Sequence, residues 1–200
     1  MKYFVYGDKE IRHLKNADEN MKNLIERMGH LDRELEEDLF AGLASSIVGQ
    51  QISGRALETI WGRLEEKAKT VTPQNIDSLS VEDIQSCGMS FRKANNIKSL
   101  AAKFLSGEID TEEIEKMTDD EVVSKLTRLD GIGKWTAEMT LIFTLKRPDV
   151  MSFGDYGIRK GLSKLCGREV DKTTFEVYRQ KFAPYGTVAS FYLWELASEK

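Results

Sequence analysis

Proline is scarce in this chain, with three in 200 residues, so few positions force a helix to end. Between the prolines, apolar side chains recur at the three- and four-residue spacing of amphipathic helices. Only Lys2–Tyr6 resembles a strand, or an extended tail. The sequence therefore predicts an all-α fold of about ten helices, undivided by Gly-rich or Ser-rich linkers.

Local signals indicate where several of these helices begin and end. Apolar spacing predicts one long helix over Glu10–Met28, with Gly29 as its C-cap. Thr111 and Thr118 are each expected to be the N-cap of a short helix.

Composition excludes several classes of protein. With 40% hydrophobic and 31% charged residues, the chain resembles a globular domain and not a disordered one. It contains neither an apolar run of membrane-spanning length nor a signal-peptide pattern, so an intracellular protein is expected. Two cysteines, Cys87 and Cys166, and two histidines, His13 and His30, are too few and too dispersed for a zinc or iron–sulfur site. No organic cofactor is expected, and nothing in the sequence demands a dimer, so we expect a monomer.

Charge is distributed unevenly along the chain. The net charge of −4 argues weakly against a nucleic-acid partner, but the distribution of charge matters more than the sum. Gly107–Lys125 contains eight acidic and two basic residues, whereas Arg128–Arg168 contains eight basic and four acidic residues. The basic segment is a candidate DNA-binding region, with a solvated helix face as the alternative.

One string between two helical patterns is typical of a phosphate-binding turn. Two glycines flank Ile132, which suits a tight turn whose backbone approaches a ligand closely. A helix begins near Gly133, so its free N–H groups and positive dipole end can bind a phosphate, and Lys134 adds a charge. A plain helix connection is the alternative. The string is Leu129, Asp130, Gly131, Ile132, Gly133, Lys134, Trp135, Thr136 and Ala137.

This string resembles the helix-hairpin-helix motif, L-P-G-I/V-G-x-x-T-A, at every position except Asp130, where the motif has proline. The resemblance implies that Gly131, Gly133, Lys134 and Thr136 bind the DNA backbone. It does not by itself imply an enzyme, because polymerases, ligases and recombination proteins use the motif as a passive clamp. The resemblance also implies a monovalent cation, Na⁺ or K⁺, on hairpin carbonyls, which here are those of Thr127, Leu129 and Ile132.

A carboxylate follows the hairpin. The stretch Met151–Leu162 resembles the loop and helix that follow the hairpin in the helix-hairpin-helix DNA glycosylases, with Asp155 lying 22 residues after Gly133. The resemblance implies that Asp155 is catalytic. A fixed carboxylate can stabilise the oxocarbenium character that develops on the sugar and can orient or deprotonate water. An N-cap is the alternative role for Asp155, and both roles are compatible.

Bifunctional members of the superfamily carry a Schiff-base lysine where this chain has Trp135, so no lyase activity is expected.

Two further strings resemble the DNA-3-methyladenine glycosylase II branch. Gly49–Ser53, G-Q-Q-I-S, resembles a turn that enters the minor groove. This implies a wedge at Gln51 with Gln50 and Ser53 beside it, although buried glutamines can instead satisfy helix ends. Cys87–Ala94 resembles a second DNA-gripping turn, which implies contacts through Gly88, Ser90 and Lys93.

The same branch implies an aromatic pocket for the damaged base. Alkylated purines are positively charged, so aromatic rings can bind them by stacking and cation–π attraction. Trp135 and Tyr185 match pocket positions of the branch, whereas Trp61 and Trp194 are expected to pack in the core.

These observations predict a two-lobed helical fold with the active site in a cleft between the lobes, one lobe formed by residues 1–38 and 140–200, the other by 39–139. The chain is expected to flip alkylated purines, such as 3-methyladenine and 7-methylguanine, out of double-stranded DNA and to hydrolyse the N-glycosidic bond. The alternatives are a non-catalytic DNA-binding or damage-sensing protein, and a glycosylase for oxidised or deaminated bases.

Overall fold

The computed structural model describes residues 2–199 and confirms the all-α class. Within these residues there are thirteen helices, and the only β-type pairing is an isolated bridge between Tyr3 and Glu34. The helices are α1 (Asp8–Ala17), α2 (Glu19–Met28), α3 (Leu39–Gly49), α4 (Gly54–Ala68), α5 (Pro73–Ser78), α6 (Val81–Gln85), α7 (Phe91–Leu105), α8 (Thr111–Lys116), α9 (Asp119–Leu126), α10 (Lys134–Phe143), α11 (Tyr156–Cys166), α12 (Lys172–Phe182) and α13 (Gly186–Ser198).

Two local predictions were wrong. The predicted helix over Glu10–Met28 is divided at Asp18, whose extended backbone (φ −153°) ends α1 and whose side chain accepts a hydrogen bond from the backbone N–H of Met21 to cap α2. The short side chain of an aspartate competes for backbone N–H groups, so it favours a helix end even where apolar spacing continues. The N-cap of α8 is Asp110 and not Thr111, which is the first helical residue. Thr118 does cap α9.

The chain forms two compact units. The terminal unit comprises the residues up to Leu35 together with those from Leu141 onward, and the hairpin unit comprises Glu36–Thr140. Among residues 2–199, no helix combines the length and apolar character needed to cross a bilayer.

In the terminal unit, α13 is the central element. Its residues from Gly186 to Leu193 are all buried, and α11 packs along it. Gly161 is essential to this packing, because a Cβ placed there would overlap the backbone carbonyl of Leu193. The start of α13 is fixed by Thr187, whose Oγ1 donates to the carbonyl of Arg147 (2.6 Å) and accepts from the N–H of Val150 (3.0 Å). This arrangement fixes the loop that leads to Asp155.

In the hairpin unit, α7 is the central element and packs against α3, α5 and α6, while α4 packs against α3. Fully buried aliphatic side chains on these helices form the core, including Leu43, Ile47, Leu64, Ile76 and Ile97.

The close approach of α11 and α13 gives a first prediction. Gly161→Ala is expected to lower the free energy of unfolding by roughly 1–3 kcal/mol, because the added methyl group forces the two backbones apart. Gly62→Ala in α4 is the matched control, since a Cβ there meets nothing within 4 Å. It is expected to raise stability by about 0.5–1 kcal/mol. Urea denaturation measures both, and equal effects would contradict the role of Gly161.

Candidate functional site

The hairpin lies between α9 and α10 and is closed by a short turn. The N–H of Ile132 donates to the carbonyl of Leu129 at 3.1 Å, and both of these side chains are buried. Asp130, which stands where the motif has proline, accepts a hydrogen bond from Ser99 Oγ of α7 (3.3 Å). The apolar side chains therefore anchor the turn in the hairpin unit, while the start of α10 stays exposed at Gly133 and Lys134.

The two hairpin glycines differ in their surroundings. Gly131 has a φ of +82°, and a Cβ there would collide with the side chain of Asn96. The positive φ and the clash with Asn96 therefore account for a glycine at position 131. Neither applies at Gly133, because a Cβ there would meet nothing within 4 Å. The open space at Gly133 leaves the N-terminus of α10 accessible to a ligand.

The glutamine turn between α3 and α4 is joined to the hairpin. Gln50 Nε2 donates to the carbonyl of Gly131 at 2.6 Å, so this half-buried side chain satisfies a backbone acceptor of the hairpin turn. Gln51 is exposed and has a φ of +58°, which is uncommon for a residue other than glycine. Of the two glutamines, Gln51 is therefore the one that the turn presents to solvent.

The turn before α7 contributes a cap and a partly buried lysine. Ser90 is the N-cap of α7 and accepts from the N–H of Lys93 (3.3 Å). Lys93 Nζ donates to the carbonyls of Val48 (2.8 Å) and Gln50 (2.6 Å), and burial lowers the pKa of this ammonium group. The charge of Lys93 is thus directed at the end of α3, and its predicted contact with DNA stays a prediction.

These elements surround a cavity of about 680 Å³ in the hairpin unit. Trp135 lines this cavity and is 46% exposed. The cavity brings together predicted site residues from the glutamine turn, the α7 turn and the hairpin helix. Its lining includes Gln50, Gln51, Ser90, Arg92, Lys93 and Trp135.

The remaining predicted DNA contacts differ in accessibility. Ser53 is exposed and caps α4, and Gly88 is exposed with a φ of +116°. The Lys134 side chain is 75% exposed and lies 3.7 Å from a carboxylate oxygen of Glu138. Thr136 is buried at 3% exposure, and its predicted contact with DNA stays a prediction.

In the terminal unit, Asp155 is a buried carboxylate at the start of a helix. It is 7% exposed, and its Oδ1 accepts from the N–H of Ile158 at 2.8 Å as the N-cap of α11. The same oxygen accepts from Trp194 Nε1 at 2.9 Å. Two N–H donors and a helix N-terminus therefore compensate the negative charge of this carboxylate and fix its orientation.

Trp194 is a site residue that sequence reasoning assigned to the core. Its indole stacks on Phe143 (5.7 Å between ring centroids) and on Phe191 (6.1 Å) while its N–H reaches Asp155. A Cβ at Gly157 would lie 2.7 Å from Trp194 Cδ1 and 3.2 Å from Asp155 Oδ1, so this glycine makes room for the pair. In the sequence, Gly157 and Gly161 indicate a close approach to this part of α11. They do not indicate that Trp194 is the residue that approaches.

Tyr185 has different neighbours. Its ring meets His13 edge to face at 5.2 Å, and the ammonium of Lys9 lies 5.8 Å from the ring centroid. The tyrosine hydroxyl raises the pKa of Lys9 through a hydrogen bond. These contacts join Tyr185 to α1, and its predicted role in base binding stays a prediction.

Metal-binding groups do not cluster in residues 2–199, where no set of three or more His, Cys, Asp and Glu side chains is arranged to hold a metal ion.

Comparison with known proteins places this geometry in a family. Residues 44–183 match the HhH-GPD superfamily of base excision DNA repair proteins. The chain belongs to the HhH-GPD superfamily. The resemblance to helix-hairpin-helix glycosylases is thereby confirmed, and the hairpin and Asp155 both lie within the matched HhH-GPD region.

Named HhH-GPD relatives cover nearly the whole chain. DNA-3-methyladenine glycosylase 1 of Schizosaccharomyces pombe is 35% identical over 194 residues, which cover 92% of this chain and 84% of the yeast protein. The crystal structure of a DNA-3-methyladenine glycosidase from Bacillus halodurans is 36% identical with a TM-score of 0.88, covering 99% of this chain and 93% of that one. The structure of the 3-methyladenine DNA glycosylase of S. pombe in complex with abasic DNA is 34% identical with a TM-score of 0.83, covering 94% of this chain and 96% of that one.

The two hairpin glycines give a second prediction. Gly131→Ala is expected to lower the free energy of unfolding by about 1–2 kcal/mol, because a side chain disfavours positive φ and Asn96 must move. Gly133→Ala is expected to change it by less than about 0.5 kcal/mol, because its Cβ enters open space. Urea denaturation of both variants checks the difference, and a large loss of stability in Gly133→Ala would show that this glycine is structural.

Proposed function

We propose that this chain is a monofunctional DNA glycosylase that removes alkylated purines, such as 3-methyladenine and 7-methylguanine, from double-stranded DNA and leaves an abasic site. The main support is the position of Asp155, whose buried carboxylate accepts hydrogen bonds from two N–H donors. The chain is an HhH-GPD protein, and its relatives bear the name DNA-3-methyladenine glycosylase.

DNA binding is assigned to the hairpin. The open space at Gly133 lets a phosphate approach the first N–H groups of α10, and the exposed Lys134 supplies a positive charge beside them. Such contacts hold the duplex without reading its sequence. A repair enzyme needs this kind of grip, because damage can occur in any sequence.

Base binding is assigned to Trp135, which lines the cavity of the hairpin unit. A flipped alkylpurine carries positive charge, and the half-exposed indole of Trp135 offers a π-face for stacking and cation–π attraction. Gln51 is placed on an exposed turn, where it can fill the gap that the flipped base leaves in the stack. Tyr185 is retained as a second aromatic contact on the strength of the resemblance alone.

Bond cleavage is assigned to Asp155. The C1′–N bond breaks, its electron pair leaves with the base, and positive charge develops on the sugar ring. The carboxylate stabilises that charge, and water then adds to C1′ and loses a proton. An alkylated purine is already cationic and departs as a neutral base, so a fixed carboxylate suffices. Trp194 acts through Asp155 by holding the orientation of its carboxylate.

A monovalent cation, Na⁺ or K⁺, is also part of the proposal. Thr127 is the C-cap of α9, so its carbonyl lies at the negative end of a helix, and the carbonyls of Leu129 and Ile132 follow in the same turn. Neutral oxygen donors of this kind suit a monovalent ion, which would strengthen the local attraction for phosphate. The protein is proposed to act as a monomer without an organic cofactor.

Asp155→Asn gives a third prediction. The asparagine still accepts the N–H of Ile158, but it lacks the negative charge, so release of 3-methyladenine and 7-methylguanine from methylated duplex DNA is expected to fall about 100-fold or more. Chromatography of the released bases measures the change. Asp171→Asn is the matched control, because Asp171 caps the neighbouring helix α12 in the same way through the N–H of Thr174 (2.7 Å).

Release by Asp171→Asn is expected to equal that of the wild type, and both variants should bind DNA as the wild type does. Equal release by Asp155→Asn would contradict a catalytic role. If the folded wild type binds duplex DNA but releases neither base, the assignment to alkylated purines is contradicted, and a passive DNA-binding protein or a glycosylase for oxidised or deaminated bases remains.

The absence of lyase activity gives a fourth prediction. Because Trp135 occupies the position of the Schiff-base lysine, treatment of the protein with borohydride during reaction on methylated DNA is expected to trap no covalent protein–DNA adduct. Denaturing electrophoresis detects such adducts, and the DNA strand should remain intact until alkali is added. Because tryptophan has no primary amine, any trapped adduct would identify an amine elsewhere in the chain and contradict the monofunctional assignment.

A further inference from the structure

Lys93 has an unusual position for a lysine near a DNA-binding surface. Its ammonium is partly buried, and it donates to the carbonyls of Val48 (2.8 Å) and Gln50 (2.6 Å). Val48 lies in the last turn of α3, and Gln50 is its C-cap. The last carbonyls of a helix lack partners within the helix, and a lysine side chain can satisfy them. Lys93, which belongs to α7, therefore provides hydrogen-bond donors for the last carbonyls of α3.

The residue that follows this helix end is strained. Gln51 has a φ of +58°, a conformation that costs free energy for a residue with a side chain and persists only where the surroundings enforce it. Gln50, the residue before it, is fixed at both ends. Its carbonyl accepts from Lys93, and its Nε2 donates to the carbonyl of Gly131 at 2.6 Å.

These contacts form one chain of hydrogen bonds that runs from α7 through the glutamine turn to the hairpin. We propose that Lys93 is a positioning residue that holds Gln51 in its strained, exposed conformation for insertion into DNA, and that it does not itself bind a phosphate. This inference rests on the proposed function, because it assigns the wedge role to Gln51. It replaces the direct contact with DNA that the sequence resemblance implied for Lys93.

The contrast with Lys134 supports the inference. The Lys134 side chain is 75% exposed at the start of α10 and can reach a phosphate without breaking a carbonyl contact. Lys93 would have to abandon two short hydrogen bonds and expose the end of α3. An ammonium that contacts a phosphate releases counterions when DNA binds, so the two lysines should differ in how they affect the salt dependence of binding.

The test compares Lys93→Met, Lys93→Arg and Lys134→Met with the wild type on one duplex. The probe is a duplex that carries a tetrahydrofuran abasic analogue opposite 2-aminopurine, whose fluorescence rises when the protein unstacks it. The dissociation constant is measured as a function of NaCl concentration. Release of 7-methylguanine from methylated DNA gives kcat and KM.

For Lys93→Met we expect an unchanged slope of log Kd against log salt, at least a threefold smaller rise in fluorescence, and a kcat about tenfold lower at similar KM. Lys93→Arg is expected to recover much of the fluorescence and of kcat, because a guanidinium can donate to the same two carbonyls. Lys134→Met is expected to reduce the salt slope by about 0.9, as the loss of one phosphate contact should, with the fluorescence amplitude at saturation unchanged.

A reduction of about 0.9 in the slope for Lys93→Met with normal fluorescence at saturation would overturn the inference, because Lys93 would then be a phosphate contact. Values equal to those of the wild type in every measurement would also overturn it. If Lys93→Met does not fold by circular dichroism, Gln50→Leu tests the same chain of hydrogen bonds at its next member, with the same expected loss of fluorescence. If the wild type releases no base, the proposed function fails while the fluorescence and salt measurements still decide the role of Lys93.

Discussion

The backbone contact between α11 and α13 is the constraint on which the carboxylate site depends. Gly157 and Gly161 are four residues apart and thus lie on one face of α11, toward α13. Gly161 admits the backbone of Leu193, and Gly157 admits the indole of the next residue, Trp194. Because the two helices approach this closely, a side chain near the end of the chain reaches the carboxylate that begins α11.

The burial of Asp155 is tolerable because its oxygen has specific donors. An ionised carboxylate removed from water without partners would be strongly destabilising, whereas here Oδ1 accepts from a backbone N–H and an indole N–H. Capping and chemistry impose the same requirement, which is a carboxylate fixed in one orientation. The structural role of Asp155 therefore supports its proposed catalytic role and does not compete with it.

In the hairpin unit, hydrogen bonds from side chains to backbone carbonyls hold the loops in place. Gln50 joins the glutamine turn to Gly131, and Lys93 joins it to α7. Carbonyl acceptors at helix ends and turns have no regular partner, so each such bond removes an unsatisfied group while fixing a loop. The exposed residues Gln51, Gly133 and Lys134 are thus presented by turns that are tied to the core.

The sequence by itself determined the helical class, most helix positions, the hairpin and the N-cap at Asp155. All of these depend on contacts between residues three or four positions apart, so their patterns are visible in a linear string. It also determined the superfamily, because the hairpin string and Asp155 occur at the family spacing. Two helix ends were predicted wrongly. At Asp18 the apolar spacing predicted a continuous helix, whereas the aspartate ends one helix and caps the next. At the start of α8 the prediction chose Thr111 as the N-cap, whereas Asp110, the residue before it, is the cap.

Only the tertiary structure decided which distant residues complete the site. Trp194 is 39 residues from Asp155, Lys93 is 43 from Gln50, and Gln50 is 81 from Gly131. Each of these pairs depends on how whole helices pack, and no local pattern reports the register of one helix against another. For the same reason, no local pattern reported that the ring of Tyr185 packs against His13 of α1. The packing of the helices, and not the residue type, is what brings Trp194 to the carboxylate of Asp155 and Lys93 to the end of α3.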